Sequence, residues 1–376
     1  MSNNSFRGFG AIPQSDSMMA NRPGITPLNK QYIDNLNGYW PGANTFSGFA
    51  AAGTSPYFLQ IYQKIGTTNS YDKLLTPSTA PTAVSLGMTY SPNGKFLVLS
   101  FNVTPYVYIY KREGEIFTKL SNPSTLPAGG SRGVAFSPDN TYLVVGHATT
   151  PYMTIYKIDG DTFTKISNPS TLPSGTTVQS TAFSPDGQYL AIGVNASPWI
   201  NVYKVDSSTD TFTKLTGIPT ALSGAVVGGL AWSSDSVYLM YAGGGIPSYG
   251  GYKVTTGDTF TALTIGTTPS GTGQVMEFSP DNTYLAIGTT TNFAIVKRSG
   301  DTFTILTGQP ASMPAGETNS ISWSADGNYM LVGGINDPII IYSRSGDTFT
   351  KIADTNIQNN LATSSVQGGL VWFNSP

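Results

Sequence analysis

The sequence predicts an all-β chain: a closed ring of seven four-stranded sheets, a seven-bladed β-propeller, preceded by an N-terminal arm. Three observations carry this. A twelve-residue phrase recurs, as AFSPDNTYLVVG at Ala135–Gly146, AFSPDGQYLAIG at Ala182–Gly193 and EFSPDNTYLAIG at Glu277–Gly288. The aromatic that opens each copy (Tyr90, Phe136, Phe183, Trp232, Phe278, Trp323, Trp372) returns after 46, 47, 49, 46, 45 and 49 residues, near the roughly 40–50 of propeller-blade repeats. The copies at the two chain ends are incomplete, and each supplies what the other lacks.

The arm, residues 1–43, stands outside the repeat. Its first part is rich in Ser, Asn, Gly and Pro, a composition that stays extended or disordered alone. It carries Phe6, Phe9, Ile12, Met18 and Met19 as candidate anchors. A short helix is predicted over about 27–36, with Thr26 as N-cap and Pro27 as its first residue. Leu28, Tyr32, Ile33 and Leu36 fall on one face. So short a helix needs a partner surface, either its own ring or another subunit.

Residues 44–376 form the ring. Within each unit an apolar run such as GVAF (Gly133–Phe136) is followed by Ser-Pro-Asp-Asn or Ser-Pro-Asp-Gly. Pro presets φ there, and Asp, Asn and Gly tolerate the tight bend. YLVVG, YMTIYK and TFTKI follow as three further strands, the last after a Gly-Asp turn that recurs at Gly160, Gly257, Gly300 and Gly346. The residue before the aromatic is small in most copies: Thr89, Ala135, Ala182, Ala231, Ser322. Period-2 alternation puts it on the opposite face, so the bulky face of one blade fills the space over the small face of the next. Seven lies within the usual range of about four to eight blades.

Closure follows from the ends. Gly368–Pro376 provides a first strand and half a turn, while Asn44–Gly53, Ser55–Lys64 and Tyr71–Leu75 match strands two to four. One C-terminal and three N-terminal strands are expected to build the last blade and remove the exposed edges.

Composition excludes several function classes. Only 11% of the 376 residues are charged, against about 25% in an average globular protein. The net charge of −2 gives no electrostatic case for nucleic acid or an anionic membrane. Cysteine is absent, which excludes disulfides and thiolate metal sites. No apolar run nears the roughly 20 residues of a membrane span, and the N-terminus has no secretory-signal pattern.

The Phe-Ser-Pro-Asp-Gly-x-Tyr-Leu-Ala pattern resembles the blade repeat of WD40-like and TolB-type propellers over residues 44–376. It departs from true WD40 repeats: Tyr-Lys, as at Tyr110-Lys111, Tyr156-Lys157 and Tyr203-Lys204, replaces Trp-Asp. That family's buried polar network is therefore not carried over. The combination with Pro-Tyr-x-x-Ile-Tyr-Lys and Gly-Asp-Thr-Phe-Thr-Lys is also similar to repeats of tailed-bacteriophage virion proteins.

Catalytic motifs are sparse. The one histidine, His147, sits after a second strand and reads as a surface or packing residue. Asp139, Asp186, Asp281 and Asp326 recur where the hairpin needs them, as do Asp161, Asp258, Asp301 and Asp347. Glu277 is the exception, a carboxylate where other blades place a small residue. It needs water or a partner, by lining the axial channel or pairing with a base such as Arg132. Tyr57, Tyr106, Tyr152, Trp199 and Tyr249 follow a recurring Pro-aromatic step, offering exposed rings for sugars or proteins or a structural device.

The leading expectation is a non-enzymatic bacteriophage virion protein, attached to tail or head as an accessory or host-attachment component. It has no catalytic, metal or cofactor site. Its partners are other virion proteins, reached through the arm, and a host-surface glycan or protein. Neither nucleic acid nor membrane is bound, and several copies share one assembly. A bacterial surface propeller binding carbohydrate or protein comes second, and a hydrolase or lyase using the central channel third.

Overall fold

The computed structural model describes residues 48–53, 58–65, 70–74, 77–219, 226–244, 247–314, 316–334, 339–352 and 366–373. The expected arm and its helix at about 27–36 lie outside them.

These residues form seven antiparallel four-stranded sheets. The blades are numbered 1–7 from the one that begins at Ser85. Their innermost strands are Ser85–Tyr90, Ser131–Phe136, Val178–Phe183, Val227–Trp232, Gly273–Phe278, Thr318–Trp323 and Val366–Phe373. Neighbouring innermost strands touch around the whole circle, including blade 6 to 7 and blade 7 to 1. Blade 7 has the predicted mixed origin: Val366–Phe373 pairs with Gly48–Gly53, followed by Gln60–Ile65 and Ser70–Lys73. Phe49 lies opposite Trp372 and Ala50 opposite Val371.

The small-against-large packing is present at the blade interfaces. Ala231 of blade 4 shares a core cluster with Met276 and Phe278 of blade 5. Ala182 of blade 3 packs on the cluster that holds Trp232 of blade 4. Further up the strands the backbones themselves meet. A Cβ on Gly87 would lie 2.0 Å from the Arg132 carbonyl oxygen, and one on Gly133 within 2.8 Å of the Ser180 backbone. Glycine stands there because a side chain would push the innermost strands apart.

A second device joins the blades at the end carrying the hairpin turns. The Tyr189 hydroxyl donates to Asp258 of the next blade at 2.6 Å, and Lys204 pairs with the same carboxylate at 2.8 Å. Tyr142 and Lys157 hold Asp210 in the same way, Tyr238 and Lys253 hold Asp301, and Tyr284 and Lys297 hold Asp347. Blade 1 has Phe96 at the tyrosine position, and Lys95 joins Lys111 on Asp161 instead. The aspartates of the Gly-Asp turns thus anchor one blade to the preceding one. Lys204 holds the Asp258 carboxyl below its usual range, helped by Tyr189.

Two outcomes follow. Asp258→Ala loses the tyrosine hydrogen bond and a half-exposed ion pair, a cost of about 1–2 kcal/mol, read as a lower midpoint in thermal melts. Removing residues 366–376 deletes the innermost strand of blade 7 and is expected to abolish the single cooperative transition. A truncated chain melting like the intact one would contradict the ring closure.

Candidate functional site: the axial channel

The second strands of blades 1–5 and 7 are buried throughout, whereas the innermost strands of blades 1 and 3 are half-exposed over five of six residues. An innermost strand has no further strand on its axial side, so its open surface faces the channel. Only two residues on the seven innermost strands are charged, Arg132 and Glu277. Arg132, second in its strand on blade 2, is exposed. Glu277, fifth in its strand on blade 5, is half-buried. They stand three blades apart one way and four the other, on facing walls of the ring. Three strand positions separate them in depth, about 10 Å at a rise of about 3.3 Å per residue. No ion pair joins them among the described residues.

Glu277 occupies a slot whose structural role is visible elsewhere. In blade 6 the equivalent Ser322 hydroxyl accepts the backbone N–H of Trp372 at 3.1 Å. In blade 5 the Glu277 carboxylate takes the backbone N–H of Trp323, while the Trp323 indole N–H donates to the Glu277 carbonyl oxygen at 3.3 Å. An acceptor is all the packing needs, and serine provides one. Glutamate adds an ionisable group. Burial pushes its carboxyl up to about 8, the Trp323 N–H offsetting only part of that. Near neutral pH it exists in both forms, the condition for a general acid or base.

The other candidates resolve into structure. The recurring turn aspartates accept hydroxyls and N–H groups of their own hairpins: Ser137 to Asp139 at 2.6 Å, Ser184 to Asp186 at 2.6 Å, Ser279 to Asp281 at 2.6 Å and Ser324 to Asp326 at 2.6 Å. His147 is fully buried at the end of its strand, 3.1 Å from the Thr154 hydroxyl. Burial lowers its pKa, so it stays neutral near pH 7. Tyr106, Tyr152 and Trp199 are half-buried with φ of 69°, 68° and 68°, and their carbonyls and N–H groups close the hairpin between second and third strands. Tyr249, expected to be exposed, is buried, and Tyr57 lies outside the described residues. So do Phe6, Phe9, Ile12, Met18, Met19, Leu28, Tyr32, Ile33 and Leu36. No cluster of three or more metal-ligating side chains occurs among the described residues. A groove of about 620 Å³ between Leu306–Ser312 and Asp347–Lys351 lies at the outer rim. Its aspartate is already held by Lys297 and Tyr284, so the channel is the better place for chemistry.

The family model that matches, over residues 86–243, is the lactonase seven-bladed β-propeller. It covers Arg132 and ends before Glu277. No curated protein sequence matches the chain. Among solved structures, a Bacteroides fragilis protein assigned as a 6-phosphogluconolactonase superposes with a TM-score of 0.67 at 15% identity, over 89% of this chain and 99% of that one. The periplasmic gluconolactonase of Pseudomonas aeruginosa gives 0.65 at 15% identity, over 88% and 99%. At such identity these likenesses establish the shared fold.

They also correct the expected role. The family model and these two solved structures are lactonases by description, and none of them is a virion protein. The virion structural function, its virion location and the non-enzymatic reading are overturned. The misdirection has a physical cause: Ser-Pro-Asp-Gly, Tyr-Lys and Gly-Asp-Thr-Phe-Thr are blade-building chemistry, shared by propellers of any function. The seven-bladed form stands, and the WD40-like or TolB-type assignment gains no support beyond it.

Glu277 makes stability depend on pH with a definite sign. Between about 4.5 and 8 the native state keeps a proton that the unfolded chain releases. Its contribution is complete below the unfolded value and lost as pH rises through about 8. In thermal melts at pH 5, 7 and 9, Glu277→Gln gains on the parent protein steadily as pH rises. A gap constant with pH would mean an ordinary carboxyl.

Proposed function

We propose that the protein is a hydrolase that opens a lactone ring in its axial channel. Glu277 carries the reading: it is the one carboxylate on the innermost strands, poised near neutrality by burial. The lactonase family match over residues 86–243 supplies the reaction class.

Lactone hydrolysis needs a base for water, charge stabilisation at the carbonyl and a proton for the departing ring oxygen. Glu277 as carboxylate takes a proton from water. The water oxygen bonds to the carbonyl carbon, and the carbonyl electron pair moves to its oxygen. As the C=O re-forms, the ring C–O bond breaks, and protonated Glu277 returns the proton to the ring oxygen. The product is a hydroxy acid that ionises to a carboxylate. Arg132, the only cation on the innermost strands, draws that anion outward. No metal or redox group enters the balance.

With the carboxyl at about 8, the ionised fraction rises across pH 6–9. After subtraction of spontaneous hydrolysis, kcat/KM for D-glucono-δ-lactone is expected to climb with an inflection near 8. Glu277→Gln is expected to lower it about 100-fold or more, the range of a lost general base. A Gln variant hydrolysing like the parent in a pH-stat assay would remove Glu277 from the reaction.

A further inference from the structure

We infer that the channel mouth where the innermost strands begin, about 10 Å in depth from the level of Glu277, selects an uncharged, polyhydroxylated lactone on its way to that residue and discriminates against a phosphorylated one. This rests on the hydrolase reading and adds the substrate class.

The first observation is a repeated break in register. In all seven blades the ladder between innermost and second strands shifts at the same depth. In blade 3 Val178 lies opposite Val194 and Ser180 opposite Gly193, so Gln179 is skipped. The same shift skips Leu86, Gly228, Gln274 and Asn319. In blade 2 it falls between Ser131 and Val134 and frees Arg132. A bulge turns its extra residue out of the ladder, and on an innermost strand the open side is the channel. Leu86, Gln179, Gly228, Gln274 and Asn319 are half-buried and Arg132 is exposed. Three neutral amides and one guanidinium therefore ring this end. An amide offers both donor and acceptor, the pairing that hydroxyl groups require.

The second observation is how positive charge is distributed. The connections at this end are those entering the innermost strands and the hairpins between second and third strands. Those described throughout, among them 120–130, 166–177 and 263–272, contain no Lys or Arg, and Glu317 lies in another. Among the described residues, the lysines reaching this level stand on outermost strands. Lys119 and Lys165 there bond to Asn122 and Asn168 at 2.8 Å. Lys111, Lys157, Lys204, Lys253 and Lys297 sit at the opposite end, each held by an aspartate. A phosphate monoester dianion calls for several converging cations to offset its charge. Among the described residues Arg132 is the one cation that the bulges free at this end, and a single cation does not meet that demand.

The test uses the full chain, calorimetry with D-glucono-δ-lactam, which keeps the hydroxyls and resists hydrolysis, and turnover of D-glucono-δ-lactone against its 6-phosphate. Gln179→Leu/Gln274→Leu alters two half-exposed positions, and an unchanged melt shows that it folds. We expect lactam binding that the double variant weakens about tenfold or more, as for loss of hydrogen bonds to a polar ligand. We also expect kcat/KM for the neutral lactone at least tenfold above the phosphorylated one. Absent lactam binding, binding indifferent to the double variant, or preference for the phosphate would each overturn the inference. Lactam binding that depends on both glutamines, with neither lactone turned over, would uphold the recognition and defeat the hydrolase reading.

Discussion

Everything in this ring depends on one steric condition: two neighbouring innermost strands must come within backbone contact while each sheet keeps both faces covered. Ala182 under Trp232 and Ala231 under Phe278 satisfy it where side chains meet. Gly87 against Arg132 and Gly133 against Ser180 satisfy it where backbones meet. A single blade buries neither face and would not be stable alone. Seven of them close without an edge only because the last is completed by strands from both chain ends. Stability is thus a property of the circle, and the strands Gly48–Gly53 and Val366–Phe373 are part of its core.

The repeat made this architecture legible. Strand positions, turn residues, blade number and the composite last blade all follow from local patterns written seven times, and Phe49 opposite Trp372 realises the predicted closure. What escaped was whatever depends on two distant residues. Tyr189, Lys204 and Asp258 read as a strand tyrosine, a strand lysine and a turn aspartate. Nothing local says that they converge across more than fifty residues. Tyr249, two residues after Pro247, looked exposed, yet it is buried in the cluster shared by blades 4 and 5. Glu277 stood out as an anomaly, but its poise comes from the neighbouring blade, which the sequence does not display.

That anomaly shows how a structural slot becomes a chemical one. Ser322 and Glu277 both face the next blade's aromatic and accept its backbone N–H. Serine does so without charge. Glutamate does so with a group that burial resists ionising, a cost with no return in packing. A residue that breaks a local rule without structural gain is where function is to be sought. The blades that obey the rule form the rigid wall that holds the exception in place.

The two ends of the ring divide the work. At the turn end nearly every charge is committed: lysine to the next blade's aspartate, aspartate to tyrosine, Arg344 to Asp281 at 2.5 Å. A ligand binding there would have to displace contacts that hold blades together. At the other end the ladders break instead, and the bulges free side chains that differ from blade to blade. Identity between blades serves closure, whereas a site needs difference, because seven equal walls cannot distinguish one side of a substrate from another. Arg132 on blade 2 and Glu277 on blade 5 give the channel two unlike walls. The chemistry of an asymmetric ring-opening thus belongs where the repeat fails to repeat.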